Sequence, residues 1–250
     1  MTQTIRVTAA MVAIGDELLS GRTQDKNIAQ LARFLNVKGI DLAEVRIVAD
    51  DTDAIVEAVN ILRTRNDYLF TSGGIGPTHD DITTAAIAQA FGVKVITHET
   101  AFSMLAAHYQ SRQMEFTPAR QKMAQTPENA ILIPNDVSVA PGFIMQNVYV
   151  LAGVPAVFNA MILAVEPQLK GGTILLSASV DCPYGEGTIG DELTVIAKRH
   201  PLVSIGSYPR FHEQAYSTQI VMRSHTQDAL DLAQKDVEMM LNRLHDDESK

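Results

Sequence analysis

The 250-residue sequence predicts an α/β protein: a doubly wound, mostly parallel sheet over residues 1–170, followed by a small α+β domain over residues 171–250. Three observations carry this. From Thr8 to about Leu169, short runs rich in Val and Ile alternate with stretches of helical period, the sequence form of repeated βα units. Lys170-Gly171-Gly172 then punctuates the chain like a linker. Beyond it the pattern changes to strand, helix, strand, strand, helix.

The first strand is expected at Thr8–Ile14, an unbroken apolar run of the kind buried on both faces. A signal peptide is not expected there, because Gly15-Asp16-Glu17 follows at once and no Ala-x-Ala cleavage pattern closes the run. A helix over Asn27–Leu35 puts Ile28, Leu31, Ala32 and Leu35 on one face, and one over Asp53–Leu62 does the same with Ile55, Val56, Val59 and Leu62. Further strands are expected at Leu42–Val48, Tyr68–Thr71, Val93–Ile96, Ala130–Ile133 and Val148–Ala152. Gly39 and Gly92 sit where a left-handed residue ends a helix. Thr100–Met123 reads as one or two helices broken near Thr117-Pro118. Asp50, Asp51 and Asp53 read as a loop and a helix cap. The apolar run from Val148 to Val165 is nearly long enough to span a bilayer, but Gly153, Pro155 and Asn159 interrupt it, so a buried strand leading into a buried helix is expected.

In the second domain, Thr173–Val180 and Thr218–Arg223 read as strands. Ala229, Leu232, Ala233, Val237, Met240, Leu241 and Leu244 form one stripe on a terminal helix, with Ser224 and Gln227 as its capping box.

A formal charge of −9 and a pI near 5.2 offer no footprint for nucleic acid or an anionic membrane, so neither is expected as a partner. An anionic small molecule must be held by local dipoles or a metal. The single cysteine, Cys182, has no disulfide or zinc partner; it is expected as a packed residue in a reducing, cytoplasmic compartment.

The chemistry is expected in two loops. Thr71-Ser72-Gly73-Gly74-Ile75-Gly76-Pro77-Thr78-His79-Asp80-Asp81 follows a strand and opens a helix near Ile82. Glycines there let bare backbone N–H groups approach an anion, and the helix N-terminus adds partial positive charge, so the loop reads as a phosphate cradle. A tight turn with Asp80 or Asp81 capping the helix is the competing account. Gly15-Asp16-Glu17-Leu18-Leu19-Ser20-Gly21 ends the first strand equivalently, and ligands in open parallel sheets gather at the carboxyl ends of strands. Carboxylates beside a phosphate repel it, which points to a hard divalent cation between them. Asp16 and Glu17 as decoration of a helix N-terminus is the alternative. His79 reads as a solvated loop residue.

These two motifs, with Asp25, Asn27, Ala140-Pro141-Gly142-Phe143 and Gly153-Val154-Pro155, resemble in order and spacing the molybdopterin-binding domain of the MoaB/MogA group, and more closely the N-terminal domain of the CinA (competence-damage-inducible) family. The resemblance covers roughly residues 8–169; the segment from Thr173 onward is similar to the KH-like domain that follows in CinA proteins. It implies metal-dependent hydrolysis of a nucleotide pyrophosphate such as ADP-ribose or FAD, with Asp80 and Asp81 catalytic. Mg²⁺, Mn²⁺ or Co²⁺ would be held by Asp16, Glu17 and Asp81. The nucleotide or pterin would be bound by Thr71, Ser72, Gly73, Gly74, Gly76, Asn27, Pro141 and Gly142, in a homodimer. No amidase activity is expected. Binding of molybdopterin or its adenylated form, and a non-catalytic nucleotide-binding role, stay open. Two departures stand out: Ala152 replaces a common proline before Gly153, and Val137-Ser138-Val139 replaces a glycine-bearing stretch. The spelling Gly187-Thr188-Ile189-Gly190 matches an RNA-binding GXXG loop, but Glu186, Asp191 and Glu192 would repel phosphates, so a structural turn is expected.

Overall fold

Val7–Ile14 (β1) is apolar almost throughout because both of its faces are covered: Ala9, Met11 and Ala13 pack to one side, and Ala10, Val12 and Ile14 to the other. In the computed structural model, which describes residues 5–212 and 215–248, the chain divides between Gly172 and Thr173 into two compact units.

In the first unit β1 is flanked by Ile40–Val48 (β2) and Tyr68–Ser72 (β3), both parallel to it. The sheet continues through Val148–Leu151 (β8), Gly142–Met145 (β7) and Ile131–Ile133 (β6), in the order β2-β1-β3-β8-β7-β6. Only β7 runs against the rest, so the sheet is mostly parallel. Asn27–Asn36 (α2) and Pro155–Val165 (α7) cover one face through Leu31, Leu35, Phe158 and Met161. Thr52–Arg65 (α3) and Thr83–Phe91 (α4) cover the other through Ile55, Val59, Leu62 and Ile87. Helices on both faces make the sheet doubly wound. The strand order reverses between β1 and β3, the switch point at which such sheets open a crevice.

Several elements differ from the sequence reading. The strand expected at Val93–Ile96 is Val95–Thr97 (β4), exposed and paired only with Gln125–Pro127 (β5), outside the main sheet. The motif Ala140-Pro141-Gly142-Phe143 runs into the buried strand β7, which periodicity alone did not reveal. The region after Thr100 holds Glu99–Ser111 (α5) and Pro118–Lys122 (α6), with Thr117 capping α6. Gly92 ends α4 in the left-handed region, φ 64°. Gly171 and Gly172 are packed against the first unit: a Cβ on Gly171 would lie 1.9 Å from the Lys38 carbonyl oxygen, and the Gly172 amide donates to the Gly39 carbonyl at 3.1 Å.

The second unit is a three-stranded antiparallel sheet, order β10-β11-β9, formed by Leu176–Cys182 (β9), Ser204–His212 (β10) and Ala215–Ser224 (β11). With Glu186–Arg199 (α8) and Gln227–Glu248 (α9) it follows the strand, helix, strand, strand, helix order. Its core gathers Cys182, Ile189, Ile196, Ile220, Met222, Leu230, Ala233, Val237 and Met240. Burial pushes the Cys182 thiol pKa up, as for a packed residue. Three expectations are corrected here. Gly187–Gly190 is not a turn but the start of α8, because the apolar spacing of Ile189, Leu193 and Ile196 continues through it. Leu232 is exposed while Leu230 takes the core position. Ser224 ends β11 rather than capping α9; its hydroxyl donates to the Leu202 carbonyl, and Gln227 reaches Asp231.

Candidate functional site

At the carboxyl ends of β1, β3 and β8 lies a crevice of about 450 Å³, lined on one side by Gly73, Gly74, Ile75 and Gly76. Gly73 and Gly74 have φ 109° and 67°, a conformation open chiefly to glycine. Their crowding is equally restrictive. A Cβ on Gly73 would lie 2.3 Å from the Ile14 carbonyl oxygen, and one on Gly74 would lie 2.2 Å from Thr83 Oγ1. Thr83, fully buried at the start of α4, locks the loop: its hydroxyl donates to the Gly73 carbonyl at 2.9 Å and its amide to the Gly74 carbonyl at 3.0 Å. With both carbonyls drawn toward Thr83, the amides of Gly74, Ile75 and Gly76 have no acceptor among the described residues. Successive unpaired N–H groups beside a cavity form an anion nest.

The residues expected to bind substrate divide into two layers. Gly73, Gly74 and Gly76 line the crevice, whereas Thr71, Ser72 and Asn27 are buried away from its lining. The Asn27 side-chain amide donates to Ser72 Oγ at 2.7 Å and to the Gly153 carbonyl at 2.8 Å, tying α2 to the ends of β3 and β8. Asn27 Oδ1 and Thr71 Oγ1 are buried without a hydrogen-bond partner among the described residues. Gly142 starts β7; a Cβ there would meet the Val150 carbonyl oxygen at 2.4 Å, so its bareness serves sheet packing. Pro141 lines a smaller hollow beside Gly76 and Asp81.

Acidic side chains also line the crevice: Glu17, Asp50, Asp80 and Asp81. Asp16, at the start of the short helix Asp16–Leu19 (α1), is tied to Asp50. The Asp16 amide donates to Asp50 Oδ2 at 3.0 Å, and the Asp50 amide donates to Asp16 Oδ1 at 3.4 Å. Asp50 is the residue that sequence reasoning missed. Asp51 does cap α3, accepting from the Ala54 amide, but Asp50 turns into the site. The signal that could have found it is its place just after β2, next to β1, at the same carboxyl edge. Burial chiefly raises the Asp50 pKa, with the Asp16, Glu17 and Asp80 carboxylates adding to the effect and the Asp16 amide opposing it.

Asp81 caps neither α4 nor any other helix, since α4 begins at Thr83 without a side-chain cap. Its Oδ2 accepts instead from the Thr78 amide at 2.7 Å and the Thr78 hydroxyl at 2.5 Å. Among the described residues, no group of three His, Cys, Asp or Glu side chains is placed to hold a metal. His79 is exposed, as the sequence suggested.

The third wall is the loop from Asn135 to Ala140, of which Ser138 and Ala140 line the crevice. Val139 lies at φ 63°, a costly conformation for a β-branched residue. Val139→Gly is expected to stabilise the protein by about 1 kcal/mol, net of glycine's entropy in the unfolded chain, and to raise Tm by roughly 2–4 °C. A thermal melt checks this; a lower Tm would mean that the valine side chain contributes more than its backbone costs.

Residues 10–171 match the family described as "Probable molybdopterin binding domain", and residues 174–246 match the "FAD synthase, middle domain". A protein of Pyrobaculum arsenaticum is 36% identical over 214 residues, covering 82% of this chain and 81% of that one. A CinA-like protein of Desulfosudis oleivorans is 33% identical over 216 residues; the match covers 82% of this chain but only 52% of that relative. Among solved structures, the protein CinA of Thermoplasma acidophilum, described as of unknown function, superposes with a TM-score of 0.60 at 32% identity. That alignment covers 65% of this chain and 98% of the other. No helix among the described residues is long and apolar enough to cross a membrane.

Proposed function

From the premise that this chain belongs to the molybdopterin-binding domain family, in its CinA-like branch, we propose that it binds a pterin or nucleotide with its phosphate on the Gly73–Gly76 nest and its organic part toward the Asn135–Ala140 loop. The observation that carries the reading is the run of unpaired amides at Gly74, Ile75 and Gly76, held open by Thr83. Such amides favour an anion in a protein whose net charge does not. The apolar side of the crevice, with Ile75, Val154 and Val157, suits a flat ring system joined to that phosphate. The match of residues 174–246 to a domain of FAD synthase supports a nucleotide as readily as a pterin.

Hydrolysis of a phosphoanhydride is a second reading, favoured by the gathering of Glu17, Asp50, Asp80 and Asp81 around a site for an anion. A divalent cation would supply charge neutralisation and an acidified water. Among the described residues no three of these carboxylates are grouped to hold an ion, so no step is assigned to it. In this reading the chain's own part is to hold the phosphate on the amides and to keep it within reach of Asp80 and Asp81 at the rim.

Calorimetric titration with ADP-ribose, FAD, a pterin phosphate and inorganic pyrophosphate, each with and without Mg²⁺, Mn²⁺ or Co²⁺, tests both. Saturable binding of phosphate-bearing ligands is expected. If none of them binds, the proposal fails. Chromatography of the same mixtures separates the readings: mononucleotide products establish hydrolysis, and binding without product leaves a binding module.

A further inference from the structure

The loop from Asn135 to Ala140, which lines the same crevice as the glycines, contains a polar device that neither the expected motif residues nor the acidic side chains account for. Asn135 is only 5% exposed, and its whole side-chain amide is committed to this one loop. Its Oδ1 accepts from the Val137 amide at 2.8 Å and the Ser138 amide at 3.2 Å. Its Nδ2 donates to the Ala140 carbonyl at 3.0 Å and to Ser138 Oγ at 2.6 Å. The last bond sets the polarity of the serine. Because Ser138 Oγ accepts from Asn135, its own proton points elsewhere, and no acceptor for it exists among the described residues. Ser138 lines the crevice and is exposed to it. The backbone turns the serine that way through Val139, whose left-handed conformation is maintained against its cost by the Asn135 bonds and by the Val139 amide donating to the Asn135 carbonyl at 3.1 Å.

We propose that Ser138 is a specificity-determining hydrogen-bond donor for the organic part of the ligand, with Asn135 as the positioning residue that fixes the direction of its proton. The assignment rests on the phosphate reading above. The glycine nest holds the phosphate without distinguishing what is attached to it. Ser138, which lines the same crevice, offers a single directed donor that suits an acceptor on the attached sugar or ring, a carbonyl or hydroxyl oxygen or a ring nitrogen. Discrimination of this kind is achieved by a site group that loses its partner when the wrong ligand enters.

The test compares inorganic pyrophosphate with the best-binding organic ligand of the panel. Ser138→Ala is expected to weaken the organic ligand about fivefold to tenfold, the range for one hydrogen bond, and to leave pyrophosphate affinity unchanged. Asn135→Asp keeps the acceptor that orders the loop but replaces the donor by a carboxylate oxygen, which draws the Ser138 proton inward and also faces the Ala140 carbonyl, so the variant should melt below the parent. It should reproduce the selective loss with Ser138 still present, and unchanged pyrophosphate affinity below its melting temperature confirms that the crevice persists. Equal affinity of Ser138→Ala and the parent for the organic ligand would overturn the assignment. So would equal weakening of pyrophosphate and organic ligand. Failure of the parent to bind either probe would instead sink the phosphate reading itself, a distinct result.

Discussion

Gly74→Ala is expected to abolish ligand binding and to destabilise the first unit by about 2–4 kcal/mol, through two separate costs. At φ 67° a non-glycine residue loses roughly 1–2 kcal/mol. The new Cβ would also stand 2.2 Å from Thr83 Oγ1 and 3.2 Å from Thr83 Cβ. The threonine cannot simply rotate, because its hydroxyl satisfies the Gly73 carbonyl and is fully buried; leaving that carbonyl unpaired costs a further 1–3 kcal/mol or so. A fall in Tm of roughly 5–15 °C should accompany the loss of binding. Adding Thr83→Ala to Gly74→Ala separates the costs. Removing Oγ1 opens the space, so the double variant should be less destabilised than the sum of the singles, with the backbone cost remaining. Strict additivity would mean that the clash is relieved by another route. Ligand binding by the folded Gly74→Ala protein at parental affinity would remove the nest from the site.

Asp50→Asn is expected to tighten binding of a phosphate-bearing ligand about tenfold in the absence of metal, because one of the carboxylates lining the crevice loses its charge. Its effect on stability carries a definite sign. The Asp50 pKa is raised in the fold, mainly by burial and further by Asp16, Glu17 and Asp80. A carboxyl with a raised pKa contributes stability that is fully present below its unfolded value, near 3.9, and is lost as pH rises through the folded value. At pH 7 the parent has lost that contribution, whereas the amide has nothing to lose. The variant should therefore melt higher than the parent at neutral pH, with the difference shrinking toward zero as pH falls below about 4. The oxygen of the substituted amide side chain can still accept from the Asp16 backbone. Melting curves of both proteins from acid to neutral pH check the sign. A less stable variant at pH 7 would show that the charge on the Asp16 amide's acceptor outweighs the burial cost. Weaker ligand binding would show that Asp50 itself contacts the ligand or a cation that accompanies it.

Much of this site is legible in the amino-acid sequence because local chemistry writes it plainly. An unbroken apolar run marks β1 as a strand buried on both faces, and Gly73-Gly74 after a strand marks backbone that must enter conformations closed to other residues. The alternation of strands and helices determines the doubly wound sheet, and the rule that ligands gather at carboxyl edges places Gly15–Glu17 and Gly73–Asp81 on one side of it. The change of pattern after Gly172 likewise determines the order of elements in the second unit, although Gly187–Gly190 read as a turn and belongs to its first helix.

What only the tertiary structure decided is which side chains face one another across the chain. Asp50 and Asp51 are adjacent and chemically alike, yet one caps α3 and the other turns into the crevice, because the Asp16 amide, distant in sequence, captures Asp50. Asp81 read as a helix cap or a metal ligand; it caps no helix, and its carboxylate accepts from Thr78, three residues before it. Val95–Thr97 has the composition of a sheet strand but finds its partner in Gln125–Pro127, while Gly142–Met145, hidden in a loop motif, enters the main sheet. Asn135 gave no signal at all, since an asparagine in a loop is ordinary until its four bonds and the left-handed Val139 are seen together. Periodicity and turn chemistry act over a few residues and so determine elements; the pairing of strands and the partner of each polar group depend on contacts between distant segments, and those are selected by the packing of the whole unit.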